Sequence, residues 1–242
     1  MTPPSRRWMA AVVFISWLCA WARLGVAQPP YRVTWWDAAS IGTAGGLALL
    51  PHALNLPHGP PPCAPCDPAS LPSIDRAALH AFSGGASTAS TGLLAGVVGF
   101  AGVALLAGQP VAEARTNVVV YVNSIAWAEA TSEWVKVLAH RSRPVLYTPA
   151  AAGAAAGVDN RRSFPSGHAT AAFAAATSYL VIAQRERLPH RTRNAVLLYA
   201  GAVAVSALRV TAGQHFPTDV LAGGLLGSGV GWLAAHVHTT GP

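Results

Sequence analysis

Five apolar stretches of helical length follow one another with little between them, at about 84–108, 114–142, 167–185, 193–210 and 217–238. The gaps are marked by breakers: Gly108-Gln109-Pro110, the run from Pro144 to Pro165, Pro189, and the run from Gly213 to Pro217. Gly and Pro at such spacing interrupt helices rather than join strands. No stretch alternates apolar and polar residues as a half-buried strand would. The expected fold is therefore an all-α helical bundle. Charged residues make up only 10% of the chain and hydrophobic ones 52%, against roughly 25% charged in soluble domains. Helices this poor in charge have little to show to water, and a bilayer suits their outer faces. We expect an integral membrane bundle of about six spans, counting the N-terminal segment. Several stretches are short for a hydrocarbon core of roughly 30 Å, so a soluble exported bundle is the alternative.

The chain opens "MTPPSRRWMAAVVFISWLCAWARLGVAQPP". A basic start, an apolar run from Trp8 to Trp21 and small residues at Gly25 and Ala27 fit an export signal. Cleavage after Ala27 and retention as an anchor both fit, so residues 1–27 read as signal peptide or signal anchor. Residues 28–74 read as an exported segment, with a short helix at 38–50 and a Pro-rich loop at 51–74. Residues 75–242 read as the helical core. Within the loop, Cys63 and Cys66 stand in "PPCAPCDP". Zinc binding with His52 and His58 would need irregular ligand spacing, and no thioredoxin-type βαβ pattern surrounds the pair. A local disulfide in an exported loop is the expectation.

Sidedness follows from arginine. The loop "QRERLPHRTR" (184–193) is the most basic in the chain, and basic loops stay in the cytoplasm. Counting spans from it places 143–166 and 210–217 on the exported side. The count closes if the N-terminal segment crosses once and 38–50 is a non-spanning helix outside. The net charge is +7, with Lys136 the single lysine. No basic run interleaves with aromatics, which argues against nucleic acid. Anionic lipid or a phosphorylated substrate suits the excess better.

Three polar clusters then stand out, all at helix ends and all on the exported side. The first is "KVLAHRSRP": Lys136 and Arg143 lie two helical turns apart and are expected on one helix face, with Pro144 discouraging further helix. The second is "RRSFPSGHAT". Ser166 is placed to cap a helix, Gly167 lets a ligand approach the backbone, and free N–H groups there favour an anion. His168 follows on the first turn. For Arg161 and Arg162, solvated loop charges are the plainer expectation, with a wider positive field as the other. The third is "RVTAGQHFPTD", with Arg209, His215 and Asp219. An imidazole that attacks with one nitrogen needs the other held by an acceptor, and Asp219 is the candidate. Cations and N–H donors stabilise a transferring phosphoryl group. One histidine could attack phosphorus while the other protonates the leaving oxygen. No carboxylate cluster suggests a two-metal site, so no metal or other cofactor is expected.

Lys136-x6-Arg143-Pro144, Pro165-Ser166-Gly167-His168 and Arg209-x5-His215-x3-Asp219 resemble, in this order, the three motifs of the type 2 phosphatidic acid phosphatase superfamily. That superfamily holds lipid phosphatases, bacterial acid phosphatases and vanadium haloperoxidases. The resemblance covers roughly residues 75–238. It implies an all-helical bundle, a phosphohistidine formed on His215 with Asp219 as its partner, and His168 as general acid. It implies phosphate binding by Lys136, Arg143, Ser166, Gly167 and Arg209. In one departure, Leu208 stands where the family usually has Ser before the arginine, which removes a hydroxyl contact. The expected substrate is a phosphorylated lipid or a small phosphate ester, with phosphatidate, phosphatidylglycerol phosphate, undecaprenyl pyrophosphate and lipid A all open. A soluble exported acid phosphatase is the second reading. A transporter would carry ionisable groups at mid-span, which makes Glu129 and Glu133 the residues to inspect.

Overall fold

The computed structural model describes Tyr31 and residues 33–238. The export signal, its cleavage after Ala27 and Cys19 lie outside the described residues. Within them are eight α-helices and short 3₁₀ turns, with no strand. The helices are α1 (Trp35–Ala53), α2 (Ser73–Arg76), α3 (Gly84–Leu106), α4 (Val111–Ala139), α5 (Ala151–Ala154), α6 (Gly167–Arg185), α7 (Arg191–Thr211) and α8 (Pro217–Val237). Three of them, α3, α7 and α8, are long and apolar enough to cross a membrane. Their exposed side chains include Phe100, Val103, Leu197, Val203 and Leu225.

Six long helices run from one end of the bundle to the other. At one end the Ser83 N–H donates to the Thr211 carbonyl (3.2 Å) and the Ser166 N–H to that of Asp219 (3.0 Å). At the far end Arg185 donates to the Ala235 carbonyl (3.3 Å) and lies 5.8 Å from the Tyr31 ring centroid. His238 there meets Asp37 at 2.9 Å.

The helix expected at 38–50 is longer than that stretch. α1 has 19 residues and starts at the far end, beside His238. It is longer than expected because Asp37 caps it, accepting the Thr34 N–H at 2.7 Å, an N-terminal device that needs no apolar residues. It also continues through Pro51. A proline inside a helix deprives the carbonyl four residues back of its donor. Here that carbonyl, Leu47, accepts from the indole N–H of Trp134 on α4 (3.1 Å). The Trp127 indole likewise reaches Ser40 (2.9 Å). The described chain therefore begins and ends at the same, far end of the bundle.

α6 is the central helix, with alanines buried on most of its faces. α8 reaches it through Gly223, Gly227 and Gly231, one turn apart. A Cβ at Gly227 would stand 2.1 Å from the Thr170 carbonyl oxygen, so any side chain there pushes the two helices apart. Between helices in lipid, close packing and hydrogen bonds replace the hydrophobic drive. Asn194 to Tyr179 (2.9 Å) and Thr177 with Tyr199 (2.7 Å) are such bonds, each stabilising by on the order of 0.5–1 kcal/mol. The tight α6–α8 pairing brings the N-termini of both helices to the same spot.

Candidate active site

The site is built around the α6 N-terminus. Ser166 caps it, its hydroxyl accepting the Ala169 N–H at 3.5 Å. Gly167 is the first helical residue, and a Cβ there would lie 2.8 Å from Lys136 Nζ. A side chain there would push the lysine ammonium away from the helix end. Lys136 is buried and paired with Glu133, one turn back on α4.

Arg143 does not share a helix face with Lys136. α4 ends at Ala139 because His140 turns left-handed, at φ 47°, and Pro144 disfavours helix at the residue before it. Arg143 lies in extended backbone, its N–H bonded to the Asn160 carbonyl (2.8 Å). Its guanidinium donates to Gln214, the neighbour of His215, at 2.7 Å. Burial pulls Arg143 below its ordinary pKa. Arg209 donates to the hydroxyls of Ser90 (3.3 Å) and Ser87 (3.5 Å), both on α3. In Arg143 and Arg209 alike, a buried Nε has no hydrogen-bond partner among the described residues. Buried donors left open in this way are suited to an anion.

His215 is buried. Its Nδ1 lies 2.7 Å from the Ser163 carbonyl oxygen, whereas the Asp219 carboxylate is at 3.8 Å. The direct acceptor is therefore the backbone of Ser163. A carbonyl can only accept, so Nδ1 carries the hydrogen and Nε2 keeps its lone pair. Asp219 engages the support instead. It accepts from the Ser163 hydroxyl (2.6 Å), the Phe216 N–H (2.8 Å) and Arg141. Burial lowers the His215 pKa to about 4, with Arg143 and Arg209 acting the same way and Asp219 opposing. The imidazole is thus neutral at neutral pH.

His168, on the first turn of α6, meets the Thr91 hydroxyl of α3 through Nε2 at 3.2 Å. Arg209, Lys136 and Arg143 all lie within electrostatic reach of it. All eight residues expected for catalysis or phosphate binding therefore converge at one end of the bundle.

The arginines before the second motif are not solvated loop charges. Arg162 is 2% exposed and pairs with Glu133, which also takes Lys136 and His52 of α1 (3.1 Å). Arg161 is buried as well. Burial of so many cations demands a buried acid, and Glu133 supplies it at the site end. Cys63 and Cys66 form a disulfide. The Cys66 N–H donates to the Leu146 carbonyl (2.7 Å), bracing the turn that follows Arg143. No group of three or more His, Cys, Asp or Glu residues suited to a metal ion occurs among the described residues.

Sequence reasoning missed Asp75, Thr91, Arg141 and Ser163. Arg141 and Ser163 flank motif residues and could have been flagged by position. Asp75 and Thr91 carry no signal beyond being polar in an apolar chain.

Residues 117–241 match the family model described as PAP2 superfamily, just over half of the chain. The chain belongs to the PAP2 superfamily. The undecaprenyl-diphosphatase of Sulfolobus acidocaldarius is 38% identical over 80 residues, which is 33% of this chain and 35% of that protein. The aligned stretch thus spans about a third of the relative's length. No solved structure matches the chain. The PAP2 match begins inside α4, so α1, α2, α3 and the disulfide loop lie outside it. Yet they supply His52, Asp75, Ser87, Ser90 and Thr91 to the site end.

Proposed function

We propose that this PAP2 protein is a membrane-embedded phosphatase of lipid phosphates or diphosphates that works through a phosphohistidine. The observation that carries it is His215. Its Nδ1 is tied to a carbonyl, its Nε2 lone pair is free, and it sits among buried guanidiniums with open donors. In the proposed reaction Nε2 attacks phosphorus, and the bond from phosphorus to the leaving oxygen breaks. His168, protonated as the incoming phosphate's negative charge offsets the cations around it, gives that oxygen a proton. Water, deprotonated by His168, then attacks the phosphohistidine, releasing phosphate and restoring His215. Arg143, Arg209, Lys136 and the α6 N-terminus hold the three phosphoryl oxygens. Asp75, Glu133 and Asp219 are each engaged by arginine, so these three carboxylates are already neutralised by the chain. The name of the archaeal relative, together with the apolar outer faces of α3, α7 and α8, favours a polyprenyl diphosphate. Purified full chain with excess chelator should release phosphate from such a lipid faster than from a water-soluble ester. Turnover that needs added divalent metal, or a soluble ester preferred over every lipid, would remove this reading.

The far end of the bundle carries Arg185, Arg187, Arg191 and Arg193 around the 186–190 turn. We place it in the cytoplasm and the site on the exported face. In a cysteine-free variant, a cysteine at 152 should react with an impermeant thiol reagent in intact cells, and one at 187 should not. The reverse pattern inverts the orientation.

A further inference from the structure

A buried polar chain joins the first and third motifs and starts outside both. We infer that its first two members, Asp75 and Arg141, are positioning residues that hold the His215 turn without touching substrate. This rests on the phosphatase reading above. Asp75 belongs to α2, 42 residues upstream of the family match. Its Oδ1 accepts the Thr218 N–H at 3.0 Å, and its Oδ2 takes the Thr218 hydroxyl and Arg141, both at 2.7 Å. Thr218 is the second residue of α8. Asp75 is thus an anion at the positive end of the helix that follows His215.

Arg141 is spent on structure. One terminal nitrogen serves Thr218 (2.7 Å) and Asp219, the other serves Asp75. Its guanidinium also lies over the Phe216 ring, 4.5 Å from the centroid. Among the described residues, Arg143 and Arg209 each bond protein through one terminal nitrogen, whereas both of Arg141's are taken. Both carboxylates that Arg141 joins are fully buried. Asp219 then holds the Ser163 hydroxyl, and the Ser163 carbonyl holds His215 Nδ1. The order is Asp75, Arg141, Asp219, Ser163, His215. Each link fixes the next, and the last one sets where Nε2 points.

The test uses Asp75→Asn, Arg141→Gln and their double variant in the full chain. Small misplacements of a reacting group cost up to about 100-fold, so kcat should fall about 10- to 100-fold in each single variant. KM and competitive inhibition by inorganic phosphate should stay within about twofold, because no phosphate contact is lost. The double variant should lose no more than the worse single one, since the two act in series. Ser163→Ala removes one hydroxyl and no charge. It should show the same split even if the buried-charge variants do not fold. A phosphate inhibition constant that rises in step with the loss of kcat would make Arg141 a phosphate ligand and overturn the inference. Losses that multiply in the double variant would overturn it too. If the parent chain hydrolyses no phosphate at all, the phosphatase reading fails by itself. The chain of contacts is then read by NMR of ¹⁵N-histidine protein, with His215 assigned by its loss in His215→Asn. Its Nδ1 proton should shift or broaden in Arg141→Gln and Ser163→Ala, and an unchanged resonance refutes the positioning role.

Discussion

His215→Ala is expected to leave less than about one-thousandth of the parent turnover, on every substrate the chain accepts. The reason is the covalent route. Nδ1 is committed to the Ser163 carbonyl, and Nε2 is the one lone pair the ring can offer. An alanine there leaves the cations and the α6 N-terminus to bind phosphate, but nothing to attack it. Substrate binding should therefore survive while turnover does not. In the parent protein, rapid quenching at alkaline pH should trap an acid-labile phosphoenzyme that His215→Ala lacks. The pH profile carries the same information. Burial holds His215 near pKa 4, and only its neutral form attacks. The acid limb of kcat/KM, which reports the free enzyme, should fall near pH 4 and not near 6.5. Near-parental rates in His215→Ala would end the proposed mechanism.

Much of this site was legible because its residues punctuate helices. The α6 start at Gly167 follows from Ser166, whose hydroxyl is a cap, and from the apolar run behind it. Lys136, His168 and Arg209 were legible as polar residues at the ends of apolar stretches. What stayed hidden depends on distance in the fold. Arg143 was expected on the Lys136 helix face, but a left-handed His140 is a choice made by the surrounding structure, because even histidine, which is enriched in that region, adopts it uncommonly. Asp219 does lie beside His215, at 3.8 Å, but the nearer acceptor, the Ser163 carbonyl, is a backbone atom 52 residues away that no spacing points to. Arg162 was expected in solvent because nothing local neutralises it. Its acid, Glu133, lies 29 residues earlier on another helix. α1 was underestimated because its first turn is tryptophan and aspartate, and its Pro51 defect is repaired by Trp134, a partner no window could show.

Replacing His168 by asparagine should damage slow-leaving substrates far more than fast-leaving ones. Position gives the role. His168 stands on the first turn of the helix whose N-terminus faces the phosphate, and Thr91 of α3 holds its Nε2 at 3.2 Å. It lacks the carbonyl clamp that marks His215 as the attacking ring. A group so placed can hand a proton to the bridging oxygen as the bond to phosphorus breaks. Such a general acid contributes typically about 10²–10⁴-fold when the departing oxygen needs the proton. A lipid alkoxide needs it badly, whereas p-nitrophenolate leaves as a stable anion and needs little. A lipid diphosphate releases a lipid phosphate and falls between the two. The three substrates should thus rank in His168→Asn by the basicity of what they release, with the alkyl phosphate losing most. Measured at one pH on one preparation, the ratio of losses cancels any general weakening of the fold. Equal losses on all three would make His168 a phosphate ligand or a structural contact of Thr91, and the proton donor would have to be sought elsewhere at this end of the bundle.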